Sequence, residues 1–115
     1  MPPRDWAFRV QDILDAITKI QRFTSDVDFE AFGNDEELLD AVVHNLTVIG
    51  EAANHIPAEI TARNPEIPWR QMIDLRNFSV HACWNLRPSV IWDTIQNDLP
   101  PLVEPLRRLL TDTAE

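Results

Sequence analysis

Glycine is nearly absent from this chain, and its scarcity restricts the possible folds more than any other feature of the sequence. Only Gly33 and Gly50 occur in 115 residues. Tight β-hairpin turns and phosphate-cradling loops both depend on glycine, because they use backbone conformations that other residues rarely adopt. The sequence therefore predicts an all-α protein. Its length predicts one domain that covers residues 1–115.

Apolar residues recur at helical spacing in the first part of the chain. The first predicted helix runs from Asp5 to Phe23, and Asp5 is its expected N-cap. Residues 25–33 are predicted to form a loop with one helical turn, in which Phe29 and Phe32 fill the core. The predicted buried stripe of the first helix consists of Trp6, Val10, Ile13, Leu14, Ile17 and Ile20.

The second predicted helix begins after Asn34, which would cap it, and ends at Pro57. A short helix is predicted within residues 57–64. The expected buried face of the second helix consists of Leu38, Val42, Leu46, Ile49, Ala53 and Ile56.

Prolines mark the later elements. Pro68 suits the first position of a third helix, from Trp69 to Asn77, in which Trp69 and Ile73 are expected in the core. Residues 81–87 are predicted to be irregular. A last helix should start at Pro88 and kink or restart at Pro100-Pro101. The predicted architecture is a bundle of four main helices with short additional helices, and Trp84 and Trp92 belong either to the core or to a dimer interface.

A polar stripe lies on the opposite side of the second predicted helix and contains Asp40, His44, Glu51 and His55. Glu51 and His55 are i, i+4 neighbours, but His44 is seven residues before Glu51, about 10 Å along a helix axis. One metal ion cannot bridge that span. We therefore expect a solvated or interface face here, with no metal site and no cofactor.

Charge and composition limit the compartment and the partners. The net charge of −9 argues against a general nucleic-acid binder, which needs a basic surface. Residues 66–92 carry three arginines against two carboxylates, so any RNA should meet this segment. The sequence predicts no membrane span and no signal peptide, and the single cysteine fits a reducing cytoplasm.

Arg76 and His81 are the first candidates for catalysis. Five residues of continuous helix rotate by about 500°, which leaves two side chains about 140° apart. The pair can meet one substrate only if the helix ends between them, where Asn77 and Ser79 compete for backbone hydrogen bonds. Phosphoryl transfer suits such a pair, because histidine moves protons near neutral pH and arginine binds phosphate. The same spacing also occurs by chance in many chains.

Seven segments, in matching order along almost the whole chain, give the sequence a specific resemblance to a known family. It resembles the HEPN ribonuclease toxins, in particular the HepT-like group. The matching segments are Val10–Ile17, Asp40–Val42, Asn45–Ala53, Pro65–Arg70, Leu75–Asn77 followed by His81, Ile91–Ile95 and Asp98–Leu102.

The resemblance implies a HEPN-like helical bundle that forms a homodimer. It implies the toxin of a toxin–antitoxin pair, a metal-independent endoribonuclease that cleaves RNA by 2′-hydroxyl attack. Arg76 and His81 of two chains would line the dimer cleft, and the product would carry a 2′,3′-cyclic phosphate. Glu51 lies in a stretch close to the family's active site and is a candidate for orienting Arg76. Asn77 and Arg70 are further candidates for substrate positioning, although Arg70 can equally be solvated.

The implied partner is an MNT-type nucleotidyltransferase antitoxin that adds AMP to a tyrosine two residues after the motif histidine. Cys83 occupies that position here, and the chain contains no tyrosine. A thiol is a poor acceptor for AMP, so the modification is in doubt while binding of the partner is not. Cys83 is otherwise explained as a small buried side chain.

Two alternatives to catalysis remain at this point. The chain can be a non-catalytic helical interaction module of the same fold, or a module that binds a small nucleotide. The acidic net charge suits both alternatives better than it suits a ribonuclease.

Overall fold

The computed structural model describes residues 5–78 and 88–113, and all the regular structure within them is helical. The predictions for His81, Cys83, Trp84 and the irregular segment 81–87 fall outside these residues. The elements are α1 (Asp5–Thr24), α2 (Phe29–Asn34), α3 (Glu36–Asn54), α4 (Ala58–Arg63), α5 (Trp69–Asp74), a 3₁₀ turn (Leu75–Asn77), α6 (Pro88–Asp93), a π-helical segment (Thr94–Asp98) and α7 (Pro100–Thr113). The predicted all-α helical bundle is confirmed.

The core is centred on α1 and α3, which pack against each other along their lengths. The predicted stripe of α1 is buried, and the helix runs one residue beyond its predicted end, to Thr24. Ile13, Ile17 and Ile20 are fully buried. Burying a side chain of this size stabilises the fold by about 1.5–3 kcal/mol, so α1 is fixed mainly by this face.

The turn predicted in residues 25–33 is the short helix α2, capped by the Asp28 carboxylate, which accepts from the Ala31 N–H at 2.8 Å. Phe32 is fully buried against the Trp92 ring, with centroids 5.0 Å apart. The prediction that Phe29 also fills the core is wrong, because Phe29 is 45% exposed. Phe29 lies at the rim of the same cluster, 6.1 Å from the Trp92 ring.

The start of α3 differs from its prediction by one residue. Asp35, not Asn34, is the N-cap, and its carboxylate accepts from the Leu38 N–H at 3.0 Å. Asn34 instead ends α2, and its side-chain amide donates to the Glu30 carbonyl. Leu38 is only half-buried because it lies in the first turn, beside the cap, while the other five predicted core residues of this helix are buried.

The end of α3 also precedes the predicted stop at Pro57. The helix ends at Asn54, and His55 is the C-cap. His55 leaves the helical geometry two residues before the proline, and its N–H bonds to the Ala52 and Ala53 carbonyls. The following short helix, α4, confirms the helix predicted within residues 57–64.

Helix α5 begins directly after Pro68, as predicted, and Trp69 anchors it. The indole of Trp69 is buried, and its N–H donates to the Asn64 carbonyl at 3.0 Å. Ile73 is half-buried against the core rather than wholly within it. The predicted third helix is divided, because α5 ends at Asp74 and a 3₁₀ turn continues to Asn77.

The last part of the chain is also divided where proline predicts. Helix α6 is described from Pro88 to Asp93, and α7 begins at Pro100. Between them lies a wider π-helical turn, in which the Leu99 N–H bonds to the Thr94 carbonyl. Within residues 5–78 and 88–113, every helix is too short or too polar to span a bilayer.

Candidate active site

The segment that carries Arg76 is a helix end, as the spacing of the candidate pair requires. Helix α5 passes into the 3₁₀ turn at Leu75, and the chain becomes extended at Phe78, with φ −68° and ψ 132°. The Phe78 N–H closes the turn on the Leu75 carbonyl at 3.2 Å. The helix therefore ends between Arg76 and the position of His81 in the sequence.

The 3₁₀ turn Leu75–Asn77, called the Arg76 turn below, packs directly onto the backbone of α3 at Gly50. A Cβ at this position would lie 2.5 Å from the Arg76 backbone nitrogen, 2.6 Å from the Arg76 Cβ and 2.8 Å from the Ile73 carbonyl oxygen. No side chain fits at such distances. Gly50 therefore allows the Arg76 turn to approach α3 this closely, and any larger residue would displace the turn.

The Arg76 guanidinium is held by Glu51, the residue that follows Gly50 on α3. Arg76 Nη1 donates to Glu51 Oε1 at 3.2 Å, and the two side chains are 38% and 54% exposed. An exposed pair of this kind adds at most about 1 kcal/mol to stability. Its clearer effect is to orient the half-exposed guanidinium, a group whose planar N–H donors suit a phosphate.

A third contact comes from Thr47, one turn before Glu51 on α3. Thr47 Oγ1 lies 3.2 Å from the Phe78 carbonyl oxygen and 3.0 Å from the Val43 carbonyl oxygen. Thr47, Gly50 and Glu51 lie at i, i+3 and i+4, so they share one side of the helix. This side of α3 therefore contacts the Arg76 backbone at Gly50, the Arg76 side chain through Glu51, and the Phe78 carbonyl through Thr47.

The other candidates lie in different surroundings. Arg70 is 87% exposed, and its Nε lies 3.9 Å from Asp74 Oδ1, an i, i+4 pair on α5. Asn77 is exposed at the last position of the 3₁₀ turn. The structure thus brings Arg76 and Glu51 together but does not connect Arg70 with them, and His81 and Cys83 lie outside the described residues.

The polar stripe of α3 is exposed at Asp40, His44, Glu51 and His55, as expected for a solvated or interface face. In the part of the chain that the structure describes, no three His, Cys, Asp or Glu side chains group closely enough to hold a metal ion.

The sequence interpretation assigned no role to Thr47 or to Gly50. A glycine inside a helical pattern is itself a signal of close backbone approach, so Gly50 was detectable in principle. Thr47 gave no such signal, because its partner Phe78 is 31 positions away in the sequence.

The family model described as "Ribonuclease HepT-like" matches residues 13–109, a range that contains the whole Arg76 turn and the side of α3 that contacts it. The chain belongs to the HepT-like ribonuclease family. Membership of a ribonuclease family supports ribonuclease activity for this HepT-like chain.

Individual relatives agree with the family match. The "Probable ribonuclease HepT" of Thermococcus cleftensis is 39% identical over 93 residues, which cover 81% of this chain and 84% of the relative. Two proteins of Methanocaldococcus jannaschii, "Putative RNase MJ0127" and "Putative RNase MJ0125", are each 31% identical. These alignments cover 97% and 100% of this chain, and 93% and 99% of the two relatives. No solved structure matches this HepT-like chain.

Proposed function

We propose that the protein is a metal-independent endoribonuclease whose catalytic residues are Arg76 and His81. The observation that carries this proposal is the Arg76 turn of a HepT-like chain. Its guanidinium is at the surface, is oriented by Glu51, and lies at a helix end that precedes His81 in the sequence.

The proposed reaction uses only groups that the chain supplies. A base takes the proton from the RNA 2′-hydroxyl, and that oxygen attacks the adjacent phosphorus. An acid then gives a proton to the departing 5′-oxygen, which leaves a 2′,3′-cyclic phosphate. His81 would perform the proton transfers, and Arg76 would stabilise the extra negative charge of the phosphorane-like transition state.

A homodimer would supply the base and the acid together. The motif of one chain contains one histidine, so two copies related by a two-fold axis would bring two His81 and two Arg76 to one cleft. Glu51 would act through Arg76 by fixing its orientation. Arg70 and Asn77 would contact the RNA further from the reacting phosphate, and both are exposed as this role requires.

The direct test is incubation of the purified protein with RNA in EDTA. Wild-type protein is expected to cleave the RNA, and His81→Ala is expected to abolish cleavage without changing the circular dichroism spectrum, because the proton-transfer group is lost. His44→Ala is the matched control, since it removes an exposed imidazole from the polar stripe of α3. The active protein should sediment as a dimer at micromolar concentration.

Several outcomes would contradict the proposal. Cleavage that survives in His81→Ala, or that EDTA removes from the wild-type protein, would reject the assigned chemistry. An active monomer would reject the shared cleft. Complete inactivity of the wild-type protein would favour the non-catalytic interaction or nucleotide-binding alternative, which the net charge of −9 also suits.

We further propose that the protein is the toxin of a toxin–antitoxin pair and acts in the cytoplasm. Its partner would be an MNT-type nucleotidyltransferase antitoxin that inhibits it mainly by occlusion, because Cys83 replaces the tyrosine that would accept AMP. Residues 26–40 carry seven carboxylates and no Lys or Arg, and all seven are exposed on and around α2 and the start of α3. This acidic surface would complement a basic face of the partner.

Mass spectrometry of the protein co-expressed with its antitoxin is expected to find no added AMP. Inhibition should weaken as salt rises, since salt screens contacts between exposed charges. Cys83→Tyr supplies a phenol at the family position and is expected to make the modification possible. Stoichiometric AMP on the unsubstituted chain would show that a different side chain accepts it, and occlusion would not then be the main mechanism.

A further inference from the structure

Thr47 makes a long-range contact that distinguishes it from other threonines in the described helices. Threonine hydroxyls inside helices commonly bond to a carbonyl one turn earlier, and Thr24, Thr94 and Thr111 each do so. Thr47 makes the same local contact with Val43 but also reaches the Phe78 carbonyl at 3.2 Å. Because a hydroxyl has one proton, the two carbonyls share it as a three-centre bond.

Phe78 is the first extended residue after the Arg76 turn. Its side chain packs half-buried against the core, and its N–H bonds back to the Leu75 carbonyl. Its carbonyl is therefore the point at which the chain leaves the turn. A contact at this carbonyl fixes the main chain at Phe78, the last described residue before the sequence position of His81.

Thr47 is well suited to hold that carbonyl. Its side chain is branched at Cβ, which restricts the hydroxyl to few directions. Gly50 lies one turn further along the same side of α3. Because it has no side chain, the Arg76 backbone lies closer to α3 than a Cβ would permit. The Arg76 turn is thus attached to α3 by a close backbone contact at one end and by a hydrogen bond at the other.

We propose that Thr47 is a positioning residue for RNA cleavage, because its hydroxyl holds the main chain at Phe78, between Arg76 and His81. The inference rests on the proposed ribonuclease function. Thr47 contacts the main chain and not the RNA, so its removal should lower kcat and leave KM nearly unchanged.

The test compares wild-type protein with Thr47→Val, Thr47→Ser and Thr24→Val. Valine keeps the shape of threonine without the hydroxyl, serine keeps the hydroxyl, and Thr24→Val removes only a local bond to the Ile20 carbonyl. Cleavage of a short oligoribonucleotide gives kcat and KM. Hydrogen–deuterium exchange of the peptide that covers Leu75–Phe78 measures the attachment of the turn independently of activity. Thr47→Ala replaces Thr47→Val if the valine variant folds poorly.

Thr47→Val is expected to lower kcat by about 10-fold or more with KM within about twofold, since small misplacements of catalytic groups reduce rates by up to about 100-fold. It should also speed exchange in the Leu75–Phe78 peptide. Thr47→Ser should restore both properties, and Thr24→Val should change neither.

Wild-type kcat and exchange in Thr47→Val would overturn the inference, as would an equal loss of kcat in Thr24→Val. A wild-type protein that cleaves no RNA would instead overturn the proposed function and, with it, the role of Thr47 in cleavage. The exchange measurement would still decide whether the hydroxyl holds Phe78.

Discussion

Gly50→Ala is expected to lower the free energy of unfolding by about 1–3 kcal/mol, because the new methyl group would overlap the Arg76 turn. The nearest atoms are the Arg76 nitrogen at 2.5 Å and the Ile73 carbonyl oxygen at 2.8 Å. Both belong to the backbone, so no side-chain rotation can relieve the overlap. The expected loss is a net value, because alanine's better helix propensity, about 1 kcal/mol, is smaller than the cost of an overlap with backbone atoms.

The same substitution should lower RNA cleavage by more than about 10-fold at temperatures where the variant remains folded, because the turn that carries Arg76 must move away from α3. Thermal unfolding and cleavage rates measured on one preparation test both effects.

Gly33→Ala is the matched control for Gly50→Ala. Gly33 also lies within a helix and has no positive φ, and a Cβ there would come no closer than 3.9 Å, to the Pro88 Cβ. It should be neutral or slightly stabilising and leave cleavage unchanged. If Gly50→Ala behaves like Gly33→Ala, the turn does not pack against α3 as closely as the structure has it.

Arg76→Ala is expected to lower kcat by about 100- to 1,000-fold, which is typical for removing one preorganised donor from a transition state. Arg76→Lys should recover only a small part of the activity, since an ammonium keeps the charge but loses the planar pair of donors. Arg63→Ala, which removes an exposed arginine at the end of α4, is the control for a general loss of positive charge. Steady-state kinetics on the same oligoribonucleotide compare the three variants.

The role of Glu51 is tested in the same series. Glu51→Gln weakens the contact with Arg76 and should lower kcat by about 10-fold, a loss that fits misorientation rather than removal of a catalytic group. In an Arg76→Ala background it should cause no further loss, because Glu51 would act only through Arg76. An additional loss in the double variant would mean that Glu51 contacts the RNA or the reacting groups itself.

Local signals in the sequence predicted much of the fold. The buried stripe of α1 follows from apolar spacing, and the starts of α5 and α7 follow from Pro68 and Pro100. The misplaced cap of α3 arose because Asn34 and Asp35 are both good N-cap residues, and Asn34 is instead the last residue of α2. The exposure of Phe29 depends on how α2 meets Trp92, which periodicity alone does not specify.

The candidate site was less accessible to sequence reasoning. The spacing of Arg76 and His81 required a helix end, and the structure has one at Asn77. Glu51 came from family resemblance as a candidate for orienting Arg76, and in the structure Arg76 Nη1 and Glu51 Oε1 lie 3.2 Å apart. Thr47 and Gly50 meet residues 23 to 31 positions later in the sequence, and contacts over such separations depend on how α3 packs against α5 and the turn.

The π-helical segment Thr94–Asp98 determines which face of α7 points inward. An α-helix rotates by about 100° per residue, and the wider π turn takes up an additional residue before Pro100. A helical wheel drawn without this turn would give the wrong angle between the apolar face of α6 and the apolar face of α7. Deleting one residue from the segment would rotate α7 by about 100° and turn its apolar face away from α1. The buried residues of that face are Leu102, Leu106 and Leu109.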